Sequence, residues 1–210
     1  SEADGGNWQV IVSNALGADT SELAPVAVHP FTGMEVPRAA SLGVVVPIER
    51  LVTGPAMPEA DDLSAQWALR WDDEGLHGRI RVVDPVLRNR DGRPAHNDGV
   101  ELYLDLDNAK RLAYQADDVQ IRITRDGPAT AERGALPAGF SATQRETDGG
   151  YVVEFTVPLP ESAGAGTFLG IDAHVIDNDR DRREHKIGWA AVNDDAYRSP
   201  AAFGTVRLGR

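Results

Sequence analysis

Cysteine is missing from all 210 positions, which removes disulfides, thiolate chemistry, iron–sulfur clusters and covalent haem attachment at once. The absence suits an extracytoplasmic protein that needs no bridges. Long apolar runs are missing too. None approaches the roughly 20 residues that span a bilayer, so no membrane insertion is expected within this stretch. Basic residues are in the minority, 21 Lys and Arg against 33 Asp and Glu, giving a formal charge of −12. A surface of that sign repels polyanions at long range, which argues against nucleic acid as a partner. His29, His77, His96, His174 and His185 are scattered without an HxH or HExxH pattern, so zinc catalysis is not expected. There is no nucleophile elbow, Walker loop or dinucleotide fingerprint. Paired carboxylates can hydrolyse glycosides, but no pair here is singled out by its surroundings, and no enzymatic activity is expected. The opening SEADGG is neither a signal peptide nor an initiator-methionine start, and it reads as a mature form or an excised piece.

Turn formers, by contrast, are plentiful, with 21 glycines and 13 prolines. WQVIVS (8–13) reads as a first strand, followed by a loop rich in Ala, Gly, Asp and Thr. LAPVAV (23–28) and GVVVPIERLV (43–52) are extended candidates in which Pro25 and Pro47 predict edges or bends. AQWALRW (65–71), a DDEG turn and LHGRIRVV (76–83) predict a hairpin. GFSATQRET (139–147) and YVVEFTVPL (151–159) flank Asp148-Gly149-Gly150, a second tight-turn signal. FLGIDAHVID (168–177), IGWAAV (187–192) and FGTVRL (203–208) complete the series, and a short turn is expected near 107–113. The fold class that follows is all-β: a jelly-roll-like, mostly antiparallel β-sandwich. Residues 65–210 are expected to form the sandwich and residues 1–64 an N-terminal extension packing on it.

The stretch DGVELYLDLDNAKRLAYQADDVQIR (98–122) holds two alternating strands. Val100, Leu102, Leu104 and Leu106 share one side of the first, and Val119 and Ile121, with Ile123 just beyond, one side of the second. A period of two then puts Glu101, Tyr103, Gln120 and Arg122 on the other faces, free to meet solvent or a ligand. A carboxylate, an amide, a guanidinium and a phenol side by side suit hydroxyl groups, which points to recognition rather than catalysis. Without a ligand, the same residues make an ordinary cross-strand ion-paired face. Trp67 and Trp71 point the same way at strand spacing and read as core.

Taken in order, WALRWDDEGLHGRIRVVDPVL, NDGVELYLDLDN, YQADDVQIR, GGYVVEFTVP, LGIDAHVIDND and GWAAVNDDAYRSPAAFGTVRL resemble a family 9 carbohydrate-binding module over about residues 65–210. The resemblance implies a calcium-containing β-sandwich of extracellular bacterial proteins. It further implies a sugar ring held between two tryptophans, with a glutamate, an arginine and amides on its hydroxyls. On that pattern Glu101, Gln120 and Arg122 are the polar ligand-binding positions, and Asp98, which opens their motif, joins them. Tyr197 stands where the second stacking aromatic is expected. The first tryptophan is replaced by Ala95, with His96 beside it as a substitute planar ring.

Asp105, Asp107, Asp177 and Asp179 offer hard oxygen ligands, and the resemblance implies that they hold a structural calcium. The run from Asp177 is no EF-hand, because Arg182 and Gly188 stand where that loop needs glycine and glutamate. The expected function is a non-catalytic, extracytoplasmic module that binds a saccharide or similar polyhydroxylated ligand. The alternative is a ligand-sensing ectodomain of a membrane receptor such as a bacterial sensor histidine kinase. A haem-binding relative would need axial ligands, and Met34 and Met57 both lie in the poorly matching N-terminal part.

Overall fold

A computed structural model describes residues 6–8, 11–14, 17–21, 24–26, 33–88, 97–124, 127–179 and 183–210. The chain divides into two units, Ser1–Thr32 and Gly33–Arg210. In the first, β1 (Gly6–Trp8), β2 (Ile11–Asn14), β3 (Gly17–Thr20) and β4 (Ala24–Val26) form two antiparallel pairs, β1 with β4 and β2 with β3. The strand expected over 8–13 is therefore two strands. Part of the expected loop after it is β3, which pairs locally with β2 despite its weak β propensity.

The second unit begins with β5 (Met34–Val36), β6 (Val46–Ile48), β7 (Arg50–Thr53), β8 (Ser64–Asp72) and β9 (Gly75–Val83). It continues with β10 (Gly99–Asp105), β11 (Asp118–Thr124), β12 (Thr130–Arg133), β13 (Ser141–Thr147) and β14 (Gly150–Val157). β15 (Phe168–Asp177), β16 (His185–Gly188) and β17 (Gly204–Leu208) close the series. Five strands form one sheet in the order β13-β14-β9-β8-β6. The other runs β12-β11-β10-β15-β16-β7, with β17 paired to the first half of β15 and β5 parallel to β17. The extended candidate 43–52 is thus split. β6 ends the five-stranded sheet, where Pro47 costs no ladder hydrogen bond, while β7 joins the other sheet.

The two sheets pack face to face as a β-sandwich. Leu102, Leu104, Ile121, Ile171, Ala173 and Val175 from one meet Trp67, Leu69, Ile80, Tyr151, Val153 and Phe155 from the other, all nearly or fully buried. Trp71 joins this core and donates from its indole to the Gly209 carbonyl at 3.0 Å. Both hairpins expected from their turns are present. Gly75 opens β9 at φ 141° with the Val157 carbonyl pressed against it, a conformation and an approach that a side chain would obstruct. Residues 34–36, 46–48 and 50–53 are sheet strands, so sandwich pairing starts well before residue 65. The only helical turn among the described residues is a 3₁₀ turn at Pro200–Ala202.

Candidate saccharide site

β10 and β11 pair so that Glu101 lies opposite Arg122 and Tyr103 opposite Gln120, while across β15 Glu101 faces His174 and Tyr103 faces Asp172. Alternation turns this row away from the sandwich core, and the side chains close on one carboxylate. Glu101 accepts hydrogen bonds from the Tyr103 hydroxyl at 2.6 Å and from Arg122, and pairs with the Lys186 ammonium at 2.6 Å. The Arg122 Nε donates onward to Glu132 at 3.1 Å. Lys186 also donates to Asp194 at 2.7 Å and to the Tyr103 oxygen at 3.2 Å, while Gln120 reaches the same oxygen at 3.4 Å. Arg183 holds the second oxygen of Asp194 at 3.1 Å. Four of the side chains singled out by alternation therefore form one network, to which the fold adds Lys186, Asp194 and Glu132.

The expectation that this face lies open is corrected by burial. Glu101, Tyr103, Gln120, Arg122 and Lys186 are all at most 5% exposed. Tyr103 is covered by the chain after β16, whose Ala196 and Phe203 pack with it and with the half-buried Tyr114 and Tyr197, and Asp194 of the same segment reaches Lys186. Asp172 fixes the start of that segment by accepting the amides of Trp189, Ala190 and Ala191. Its far end is held by Lys110, which donates to the carbonyls of Phe203 and Gly204. The Tyr114 hydroxyl donates to the Ala196 carbonyl between them. Burial acts to raise the Glu101 pKa, but the adjacent Lys186 and Arg122 charges overcome it and hold the carboxyl down at about 2. Burial and the Glu101 charge push Tyr103 well above the phenol range, so it remains a donor. The site thus presents a permanent carboxylate and fixed cationic donors in a low-dielectric setting, where hydrogen bonds to hydroxyls gain strength. Glu132 is 36% exposed and marks where the network meets solvent.

Tyr197 packs on the Tyr103 cluster, half-buried, with the Arg198 guanidinium 4.9 Å and the Arg133 guanidinium 5.7 Å from its ring centre. Arg133 also lies 5.9 Å from the Tyr114 ring. His96 falls outside the described residues. Asp98 is placed elsewhere than the Glu101 group. It is one step out of phase with Glu101, and its carboxylate accepts the amides of Asn178, at 2.7 Å, and of Arg88.

Asp98 belongs to an acidic centre at the end of the sheets. Oxygens of Asp84, Asp177 and Asp179 all lie within 4.8 Å of one another. Asp84 is 1% exposed and Asp177 also 1%, and Asp84 Oδ2 and Asp177 Oδ1 have no hydrogen-bond partner among the described residues. Burial raises Asp84 to about 8, helped by the Asp98 charge, and burial raises Asp98 to about 7 and Asp177 to about 6. Orphaned, crowded, buried carboxylate oxygens are the donor set of a hard divalent cation, and calcium fits them. Asp84 was not singled out by sequence, though it opens the Asp-Pro of the matching early strand pair. The second acidic group is different in kind. Asp105 accepts the Ala109 and Lys110 amides and Asp107 the Ala109 amide, closing a turn in which Asn108 and Lys110 take positive φ. Asp105 lies with Asp117 and Asp118 rather than with Asp177 and Asp179.

A family model described as carbohydrate family 9 binding domain-like matches residues 41–210. The chain belongs to this family. The match of the family 9 domain begins at residue 41, ahead of the 65 expected from motifs, in keeping with the sheet strands found between them. Among curated relatives, endo-1,4-beta-xylanase A of Thermotoga neapolitana is 31% identical over 147 residues, covering 69% of this chain and 14% of the xylanase. Exoglucanase XynX of Acetivibrio thermocellus is 26% identical over 163 residues, covering 77% of this chain and 15% of that protein. The chain thus spans about one seventh of the length of these relatives. Two solved structures of a family 9 carbohydrate-binding module from Caldicellulosiruptor kristjanssonii, one with cellotriose and one with glucose, superpose with a TM-score of 0.74 at 26% identity. They cover 84% of this chain, and the matches span 94% and 96% of theirs.

Proposed function

We propose that this family 9 domain is a non-catalytic, extracytoplasmic module that binds a saccharide where the Glu101–Arg122 network reaches the surface beside Tyr197. The observation that carries this reading is the buried Glu101 carboxylate, fixed by Arg122, Lys186 and Tyr103 and led out to solvent through Glu132. Sugar hydroxyls both donate and accept, so a rigid array of carboxylate, guanidinium and amide can select their directions at little entropic cost. Tyr197 supplies apolar contact at the rim. The glucose and cellotriose held by similar structures support a pyranose as the ligand. The raised carboxyls of Asp84, Asp98 and Asp177 do not favour hydrolysis, since these residues are at most 3% exposed.

Calcium is proposed at the acidic centre, held by Asp84, Asp177 and Asp179 with Asp98 beside them. Its contribution there is charge neutralisation that ties the end of β15 to the chain after β9. Arg122→Gln tests the saccharide reading. In calorimetric titration with cellotriose the variant should lose at least about tenfold in affinity, as expected when a charged donor is replaced by a neutral one. Full affinity in a folded variant would remove the network from the binding site.

A further inference from the structure

The Glu101 network settles its own charges. Arg122 is paired with Glu101 and Glu132, Lys186 with Glu101 and Asp194, and Arg183 with Asp194. The two arginines at its margin are not settled in this way. Among the described residues neither Arg133 nor Arg198 has a carboxylate within ion-pair distance, although the sequence holds 33 acidic residues against 21 basic ones. Both are exposed, and both guanidiniums lie over Tyr197. Arg133 sits directly beside Gln120 in the ladder, one residue past the Arg122 partner Glu132. Arg198 follows Tyr197 in the covering segment, whose turn is closed by the Arg198 amide on the Asp195 carbonyl at 2.8 Å. Two elements far apart in sequence therefore bring positive charge, without a carboxylate partner among the described residues, to one aromatic ring at the rim.

Like charges collected on one ring repel each other, and stacking on tyrosine offsets little of this at an exposed position. A guanidinium held over a ring keeps its planar fork of N–H donors directed along its edge, and that edge matches an anionic oxygen pair. We infer that the ligand of this site carries an anionic substituent, a carboxylate or a sulfate on the sugar, which Arg133 and Arg198 receive while the Glu101–Arg122 network holds the ring hydroxyls. This inference rests on the saccharide reading of the site and specifies its ligand. The overall charge of −12 does not oppose it at working salt. Screening acts over about 8 Å at physiological ionic strength, so distant acids are damped while the two arginines act in contact.

Three monosaccharides that share one ring and differ at C6 provide the test: D-glucose, D-glucuronic acid and D-glucose 6-sulfate, titrated calorimetrically into the intact chain and into an Arg133→Gln/Arg198→Gln variant. At least one acidic sugar should bind the unaltered protein about tenfold more tightly than glucose, the ratio of one charge-assisted hydrogen bond to a neutral one. Which acid does so separates carboxylate from sulfate. The ratio should fall to about one in the double variant and should shrink with added salt in the unaltered protein. Glucose binding as well as both acids would overturn the inference while leaving the saccharide site standing, and so would an acid preference that survives the double substitution. Binding of none of the three while cellotriose still binds would overturn this inference alone, and loss of cellotriose as well would overturn the saccharide reading itself.

Discussion

Lys186→Met should lower the melting temperature by roughly 10 °C and weaken saccharide binding together with it. Lys186 is 1% exposed and stands between Glu101 and Asp194, so a methionine fills its volume but leaves two carboxylates with one cation fewer. Removing one partner of a buried ion pair costs about 3–5 kcal/mol. The low end applies here, because Arg122 still serves Glu101 and Arg183 still serves Asp194. For a domain of this size each kcal/mol moves the midpoint by about 2–4 °C. Adding Glu101→Gln to the methionine variant should recover part of the loss, since the group left uncompensated is then neutral. Thermal melts of the two single variants and the double variant measure this. Additive losses would mean that Lys186 and Glu101 do not act on each other.

Calcium should stabilise the protein more at about pH 8 than at about pH 5. Unfolded aspartates ionise near pH 3.9. Burial raises folded Asp84 to about 8, Asp98 to about 7 and Asp177 to about 6. In a chelator, the folded chain therefore holds protons between about pH 4 and pH 8 that the unfolded chain has released. Stability must fall as pH rises through that window. A divalent cation takes the place of those protons, and its binding strengthens as they leave. At calcium about 1,000-fold above its dissociation constant, linkage supplies about 4 kcal/mol, or roughly 10 °C in midpoint. Asp84→Asn should lose most of that gain. A midpoint that ignores both chelator and calcium at about pH 8 would remove the ion from the Asp84 centre.

How much of this was readable in the sequence depends on the distance over which each residue acts. The β8–β9 and β13–β14 hairpins are local, and the turns ending in Gly75 and Gly150 announced them. The row Glu101, Tyr103, Gln120, Arg122 was legible because strand alternation is a two-residue rule. Burial of that row was not legible. It depends on a segment some 90 residues later folding back over Tyr103, tied by Asp172 and Lys110 through contacts that leave no local pattern. Lys186 was missed for the same reason: a lysine in a short strand reads as solvated until Glu101, 85 positions earlier, is placed beside it. Asp98 was assigned by proximity in sequence to Glu101, whereas one step of alternation sends it to the other side. There it meets Asp84 and the Asp177 loop, a grouping visible only once β9, β10 and β15 are assembled. The split of residues 43–52 between sheets escaped a periodicity argument because both halves are extended.

Cocrystallisation with cellotriose addresses the binding site most directly. A terminal pyranose should be found with hydroxyls within hydrogen-bond distance of Arg122, Gln120 or Glu101 and its ring against Tyr197. Density for the sugar on the open face of the five-stranded sheet, beside the Arg79–Glu154 pair, with the Glu101 network untouched, would contradict it.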